Sequence, residues 1–168
     1  MYRTKTYIAA DWDNDKDVLE VFEDWKENNN LSFDYRDAHE LIVSRDSSLK
    51  CSIKKSIREK IKASKKFVLI VGEKTKNLTN GSCHLCDKYI RLWKEICIKN
   101  YNVDFRSYIE YECEMAVKDD IEIVVLYKSD RIEKNYCPEI LQDKGHHAPM
   151  YKKNTTEWDY QIIKKLIC

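Results

Sequence analysis

The chain has 168 residues, with 30 Lys and Arg against 29 Asp and Glu, a formal net charge of +1. That length suits one domain over residues 1–168, able to bury roughly two-thirds of its unfolded surface without a disulfide or metal. The charge balance excludes a protein held to nucleic acid or an anionic membrane by bulk charge. The three glycines, Gly72, Gly81 and Gly145, cannot compose a GxGxxG dinucleotide loop or a GxxxxGK[ST] phosphate loop. Seven cysteines, an odd number, and an N-terminal MYRTKTYIAADWD with no long apolar stretch predict free thiols in a reducing cytoplasm and no signal peptide. No run approaches the ~18 apolar residues of a membrane span.

In chain order, Thr6 to Ala10 (TYIAA) reads as a buried strand running into Asp11, Asp13 and Asp15. Asn14 or Asp15 can cap the helix that follows, in which Val18, Phe22 and Trp25 form an apolar stripe before Asn28-Asn29-Asn30 stops it. Leu31 to Tyr35 (LSFDY) predicts a second, short strand. A polar loop follows over residues 36–49, with caps at Asp46, Ser47 and Ser48. Ile53, Ile57 and Ile61 then mark an amphipathic helix. Its lysines, and those onward to Lys66, read as a solvated face.

Phe67 to Val71 (FVLIV) is a run of apolar residues, the pattern of a central strand covered on both faces. Residues 80–105 are too long for an ordinary connection and predict an inserted helix, with Tyr89, Trp93, Ile96 and Cys97 at helical spacing. Ser107 to Val117 alternates like a half-exposed strand, but parallel neighbours need a helical crossover, so a helix is expected there. Ile121 to Tyr127 (IEIVVLY) is a strand like FVLIV. The tail reads as a turn at Cys137-Pro138, helix-like EILQDK, an edge strand around His147 to Tyr151 and a final helix from Thr156. Strands alternating with helices predict an α/β fold with a central, mainly parallel sheet and helices on both faces.

On the 107–117 helix, Tyr108, Glu112, Met115 and Ala116 share one stripe, and Glu110, Glu114 and Lys118 another. Glu112 thus sits among apolar neighbours, where a carboxylate is costly unless paired or used. It is either a catalytic group or a glutamate snorkelling at the helix edge. Asp11, Trp12 and Asp13 follow the first strand, at the mouth where open α/β sheets bind ligands; capping the next helix is the competing reading. His39, Arg45, Asp46 and Ser47 would face the same mouth. Cys83-His84-Leu85-Cys86 has the spacing of half a zinc site, but no second pair follows. Cys97, Cys137, His146 and His147 would complete it only if the fold gathered them.

TYIAADWDND, FDYRDAHE, SRDSS, IKKSIREKIKASKKFVLIVGEKTK and YIEYECEMA resemble, in that order, the TIR-like domain of the Thoeris anti-phage defence family, over roughly residues 5–79 and 105–150. The resemblance implies a flavodoxin-like TIR fold and NAD as substrate rather than cofactor, cleaved at the nicotinamide–ribose bond. It implies ADP-ribose-derived products, often cyclic, that activate a separate effector as a diffusible signal. A phage component would be the trigger, and the active form a homo-oligomer. In TIR enzymes the catalytic glutamate lies four residues after an aromatic, which maps onto Tyr108 and Glu112. Where the family has aromatic-x-Arg-aromatic-Glu, this chain has Glu110 in place of the arginine. By loop position, Arg45 and Ser47 are candidates for the pyrophosphate, and Tyr108, Trp12 and Tyr35 for stacking on a ring. The alternative reading is a non-enzymatic TIR-like module acting by self-association or partner binding.

Overall fold

The computed structural model describes residues 3–28, 30–35 and 49–168. Among these, strands β1 (Lys5–Ala9), β2 (Ser64–Val71), β5 (Glu122–Tyr127) and β6 (His146–Pro149) form one sheet in the order β1-β2-β5-β6, every pair parallel. Helices α1 (Lys16–Glu27) and α4 (Tyr160–Ile167) cover one face, and α2 (Lys50–Lys62) and α3 (Tyr108–Lys118) the other. This is the α/β architecture expected from the alternation of strands and helices.

The two core layers follow from strand alternation. Tyr7 and Ala9 of β1, Phe67, Leu69 and Val71 of β2, and Ile123, Val125 and Tyr127 of β5 pack with Ile57 and Ile61 of α2 and Ile109, Cys113 and Ala116 of α3. Ile8, Val68, Ile70, Val124 and Leu126 pack with Val18 and Phe22 of α1 and Ile163 and Ile167 of α4. Phe67 to Val71 are all at most 2% exposed, as a strand with no polar face must be.

Three expectations are corrected. Leu31 to Tyr35 is not a strand, because its backbone joins no ladder. Its alternating apolar residues serve packing instead: Phe33 and Tyr35 are buried against Phe22, and Phe33 meets Trp25 edge-on. The insertion carries no α-helix; it holds a 3-10 turn at Cys83–Leu85 and a two-stranded antiparallel hairpin, β3 (Tyr89–Arg91) and β4 (Glu95–Cys97). Its apolar residues alternate at period two as well as at helical spacing, and a short run does not discriminate between them. The lysines are not all solvated. Lys54, Lys60 and Lys66 are at most 7% exposed. Lys66 Nζ donates to the carbonyls of Leu166 (2.7 Å) and Ile167 (3.3 Å), closing the last turn of α4.

α2 begins at Lys50 with Leu49 at its N-cap and no side-chain cap bond; the proposed caps Asp46, Ser47 and Ser48 lie outside the described residues. Arg58 of α2 forks onto both carboxylate oxygens of Asp119 at the end of α3, tying the two helices together. The EILQDK segment is a single 3-10 turn at Glu139–Leu141. The final helix starts at Tyr160, capped by Asp159 Oδ1 accepting from Ile162 N. His147 of β6 donates from Nε2 to the Lys144 carbonyl at 3.0 Å, and its Nδ1 lies 2.8 Å from Tyr127 Oη of β5.

Gly145, entering β6, has φ +83, and a Cβ there would stand 2.4 Å from the Ile123 carbonyl oxygen. Gly145→Ala is expected to lose about 2–4 kcal/mol of stability, read from the midpoint of urea unfolding.

Candidate functional site

The helix that carries Glu112 is fixed at its first turn by a reciprocal cap. Ser107 Oγ accepts from Glu110 N (3.1 Å), and Glu110 Oε2 accepts from Ser107 N (2.7 Å). This gives the unusual Glu110 a local role. An acidic third residue completes a capping box and favours the positive end of the helix, which an arginine would not. Tyr108 N donates to Asn80 O at 2.7 Å, and its ring lies against Gly81, whose φ is +100. A Cβ at Gly81 would stand 2.6 Å from that ring, so this turn requires glycine.

Upstream, the chain returning from the insertion is strapped down. Buried Lys54 donates to the carbonyls of Arg106 (2.7 Å) and Asp104 (3.3 Å) and pairs with Asp104 Oδ1 at 3.3 Å. Arg106 forks onto Asp104, bonds Glu114 Oε2 at 2.5 Å and covers the Tyr111 ring. Burial alone would raise the Asp104 carboxyl, but the Arg106 hydrogen bonds and the Lys54 charge bring it down to about 2.

The stripe expected on α3 is present. Ile109, Glu112, Cys113, Met115 and Ala116 are buried, and Glu110 is exposed. Glu112 is only 6% exposed and accepts a 2.5 Å hydrogen bond from the Tyr7 hydroxyl of β1 on Oε1. The carboxylate is thus directed at the sheet, not into bulk water. Tyr7 is fully buried and stacked on Phe67, so the donor itself is held. A carboxylate one turn inside a helix, in an apolar layer and facing a fixed hydroxyl, is a pre-set negative charge that can stabilise a developing cation. The sequence marked Glu112 but not Tyr7, because TYIAA reads only as a buried strand.

The other predicted residues are dispersed. Asp11 is buried beyond the end of β1. Its Oδ1 accepts from Asp13 N (3.1 Å) and its Oδ2 from Asn14 Nδ2 (2.5 Å). Trp12, at 57%, and Asp13 are exposed beside it. Tyr35 lies on the opposite face of the sheet from Glu112, against Phe22 and Phe33, with its hydroxyl 3.3 Å from Glu23 Oε1. Tyr108 is half-buried at the start of α3, and burial pushes its phenol up to about 12. His39, Arg45, Asp46 and Ser47 lie outside the described residues.

All seven cysteines are unpaired thiols. Cys83 Sγ accepts from Asp104 N at 3.3 Å, and Cys137 is buried in the core layer beside Tyr127. Among the described residues no three His, Cys, Asp or Glu side chains are gathered to hold a metal ion, and no helix is long and apolar enough to cross a membrane.

Asp15, at the N-cap of α1, is 2% exposed, makes no cap bond, and has its Oδ1 3.8 Å from Lys128 Nζ. Burial pushes its carboxyl up to about 6 against the pull of Lys128. The sign follows from linkage. An acid whose folded value exceeds its unfolded value of 3.8 favours the folded state at low pH, and that stability is lost as pH rises through about 6. Asp104 works in a separate window, adding stability as pH rises from about 2 toward 4. In denaturant melts at successive pH values, Asp15→Asn is therefore expected to gain on the wild type between pH 4 and 6, by roughly 2–3 kcal/mol.

Residues 7–80 match the family model described as Thoeris protein ThsB, TIR-like domain. That segment runs from β1 through β2 and ends before Tyr108 and Glu112. No curated protein matches the chain. Among solved structures, the Clostridium botulinum CMP N-glycosidase BcmB is similar, with a TM-score of 0.51 over 96% of this chain and 98% of that chain and 13% sequence identity. At that identity the likeness is one of fold. The resemblance read from the sequence holds over residues 7–80: this part of the chain is similar to the TIR-like domain of the Thoeris protein ThsB, and it is built on an α/β fold shared with a nucleotide N-glycosidase.

Proposed function

We propose that the chain is a bacterial anti-phage defence TIR protein that cleaves the nicotinamide–ribose bond of NAD and forms an ADP-ribose-derived signal, linear or cyclic. The signal would activate a separate effector in the cytoplasm. The observation that carries this reading is Glu112, a carboxylate at 6% exposure held by the Tyr7 hydroxyl at 2.5 Å. The match of residues 7–80 to a Thoeris TIR-like domain supports the biological setting. The fold likeness to a CMP N-glycosidase supports the bond type.

The chemistry asks little beyond that carboxylate. In NAD the nicotinamide is already a cation and departs neutral, so no general acid is required. Positive charge develops on the ribose, and a poorly hydrated carboxylate is the group that stabilises it. Water or a hydroxyl of the same molecule then attacks the anomeric carbon. A cytidine nucleotide, whose base leaves less readily, would need a proton donor as well. NAD is therefore the substrate that suits a lone buried glutamate. Self-association on activation by a phage component belongs to the same proposal.

One observation favours the non-enzymatic alternative. Trp93 at the hairpin tip is 96% exposed and Leu92 beside it 69%, an apolar surface suited to a partner. The readings separate in an assay of NAD consumption by protein from phage-challenged cells, with CMP as a parallel substrate. Glu112→Gln is expected to lower NAD cleavage at least 100-fold, and cleavage or phage protection that survives the change would sink the enzymatic reading. Tyr7→Phe removes a hydrogen bond to a charged group, and is expected to cost roughly 10- to 100-fold in kcat with KM little changed.

A further inference from the structure

One sequence motif has no part in the proposed NAD chemistry. Cys83-His84-Leu85-Cys86 lies at the start of the insertion with the spacing of half a zinc site. The fold supplies no other half, since no three metal-ligating side chains are gathered among the described residues. His84 is engaged elsewhere. Its ring is stacked on Phe105 with centroids 4.0 Å apart and meets Tyr89 edge-on at 5.5 Å. What remains is a pair of thiols.

The backbone brings that pair together. Cys83–Leu85 is a 3-10 turn, and Cys86 N closes it on the Cys83 carbonyl at 3.0 Å. Residues three apart eclipse on such a turn, so both side chains leave it on the same side. A turn closed in this way holds its end Cα atoms within about 7 Å. A disulfide takes roughly 4.4–6.8 Å between Cα atoms, so a bridge here needs side-chain rotation and little backbone movement.

Access is graded as thiol oxidation requires. Cys86 is half-buried and partly open to a small oxidant, and Cys83 behind it is 9% exposed. The core thiols differ. Cys113 and Cys137 have no exposed surface, and burial pushes both up, which keeps them in the unreactive thiol form.

The reduced pair is also a joint. Cys83 N donates to Asp104 O at 3.0 Å, and Asp104 N donates back to Cys83 Sγ at 3.3 Å. With the His84–Phe105 stack, these bonds dock the turn on the stretch that leads into the Ser107 cap and α3.

We propose that Cys83 and Cys86 are a reversible oxidation site, closing to a disulfide under a peroxide as the Cys83 sulfur turns away from the Asp104 amide. The Cys86 thiolate attacks hydrogen peroxide; an S–O bond forms, the O–O bond breaks, and one oxygen leaves as water once protonated. The Cys83 thiolate then attacks the sulfenic sulfur; the S–S bond forms, the S–O bond breaks, and the second oxygen leaves as water. The pair loses two protons and two electrons, and the peroxide is reduced to two waters. Under reducing conditions thiol exchange reopens the bridge, as in intracellular disulfides that sense oxidants. Neither Glu112 nor NAD takes part.

The test uses the full chain, treated with hydrogen peroxide, alkylated and digested with trypsin. Cleavage after Lys76 and Lys88 leaves both thiols in one peptide, 77–88. In most molecules that peptide is expected to be lighter by two hydrogens and closed to alkylation, and dithiothreitol should restore it. The Asp104 amide, followed by NMR, should exchange with solvent at least tenfold faster after oxidation. Cys86→Ser should abolish both changes, whereas Cys51→Ser, which removes the third thiol near Tyr108, should alter neither. Should Cys86→Ser fail to fold, the mass of the wild-type peptide decides. The site is ruled out if peptide 77–88 still takes two alkyl groups after millimolar peroxide, if Cys86 goes to a sulfinic acid or bridges to Cys51 or Cys97 instead, or if the Asp104 amide exchanges as before.

Discussion

The structure depends on the 67–71 stretch of β2 having no face that water can touch. Phe67 to Val71 are all at most 2% exposed, and a parallel strand of that kind must be covered on both sides. The two helical layers, α1 with α4 and α2 with α3, meet that requirement. Because side chains alternate along a strand, the same requirement sends Tyr7 toward α3 and Ile8 toward α1. The Tyr7–Glu112 contact is a consequence of this sorting. A shift of one residue in β1 would put an isoleucine opposite the carboxylate and leave it without that donor.

Two buried acids illustrate two ways of keeping a carboxylate out of water. Glu112 faces a hydroxyl on a rigid, stacked tyrosine, which supports its negative charge without neutralising it. Asp15 has a lysine at 3.8 Å and an oxygen left over, and burial moves its titration up toward neutrality. The first arrangement suits holding a cationic centre, and the second suits receiving a donor. Glu112 sits within the apolar layer between α3 and the sheet, whereas Asp15 lies at the loop that leads from β1 into α1.

The insertion is tied to the same machinery. Its return path passes Lys54, a lysine from α2 buried to satisfy two backbone carbonyls, and then enters the Ser107–Glu110 cap. The helix bearing Glu112 is therefore fixed from both sides of its first turn. The hairpin itself sends Leu92 and Trp93 outward, so one end of this segment orders the site while the other meets the surroundings.

The sequence by itself determined the strands around FVLIV and IEIVVLY from their unbroken apolar runs, and the helix over 107–117 from the crossover that two parallel neighbours need, on which spacing then puts Glu112 in an apolar stripe. The tertiary structure alone decided which residues meet. Tyr7 gave no sign of being a hydrogen-bond donor to an acid 105 positions away, and Lys54 looked like one more solvated lysine until the insertion's carbonyls arrived beside it. Leu31 to Tyr35 has strand-like alternation but only packs, because a ladder also needs a neighbour in register. Hairpin and helix both fitted 89–97, since so short a segment takes its conformation from pairing across a turn rather than from its own pattern. Partnership across the fold is set by topology, and topology is written in the chain only as the sum of all its elements.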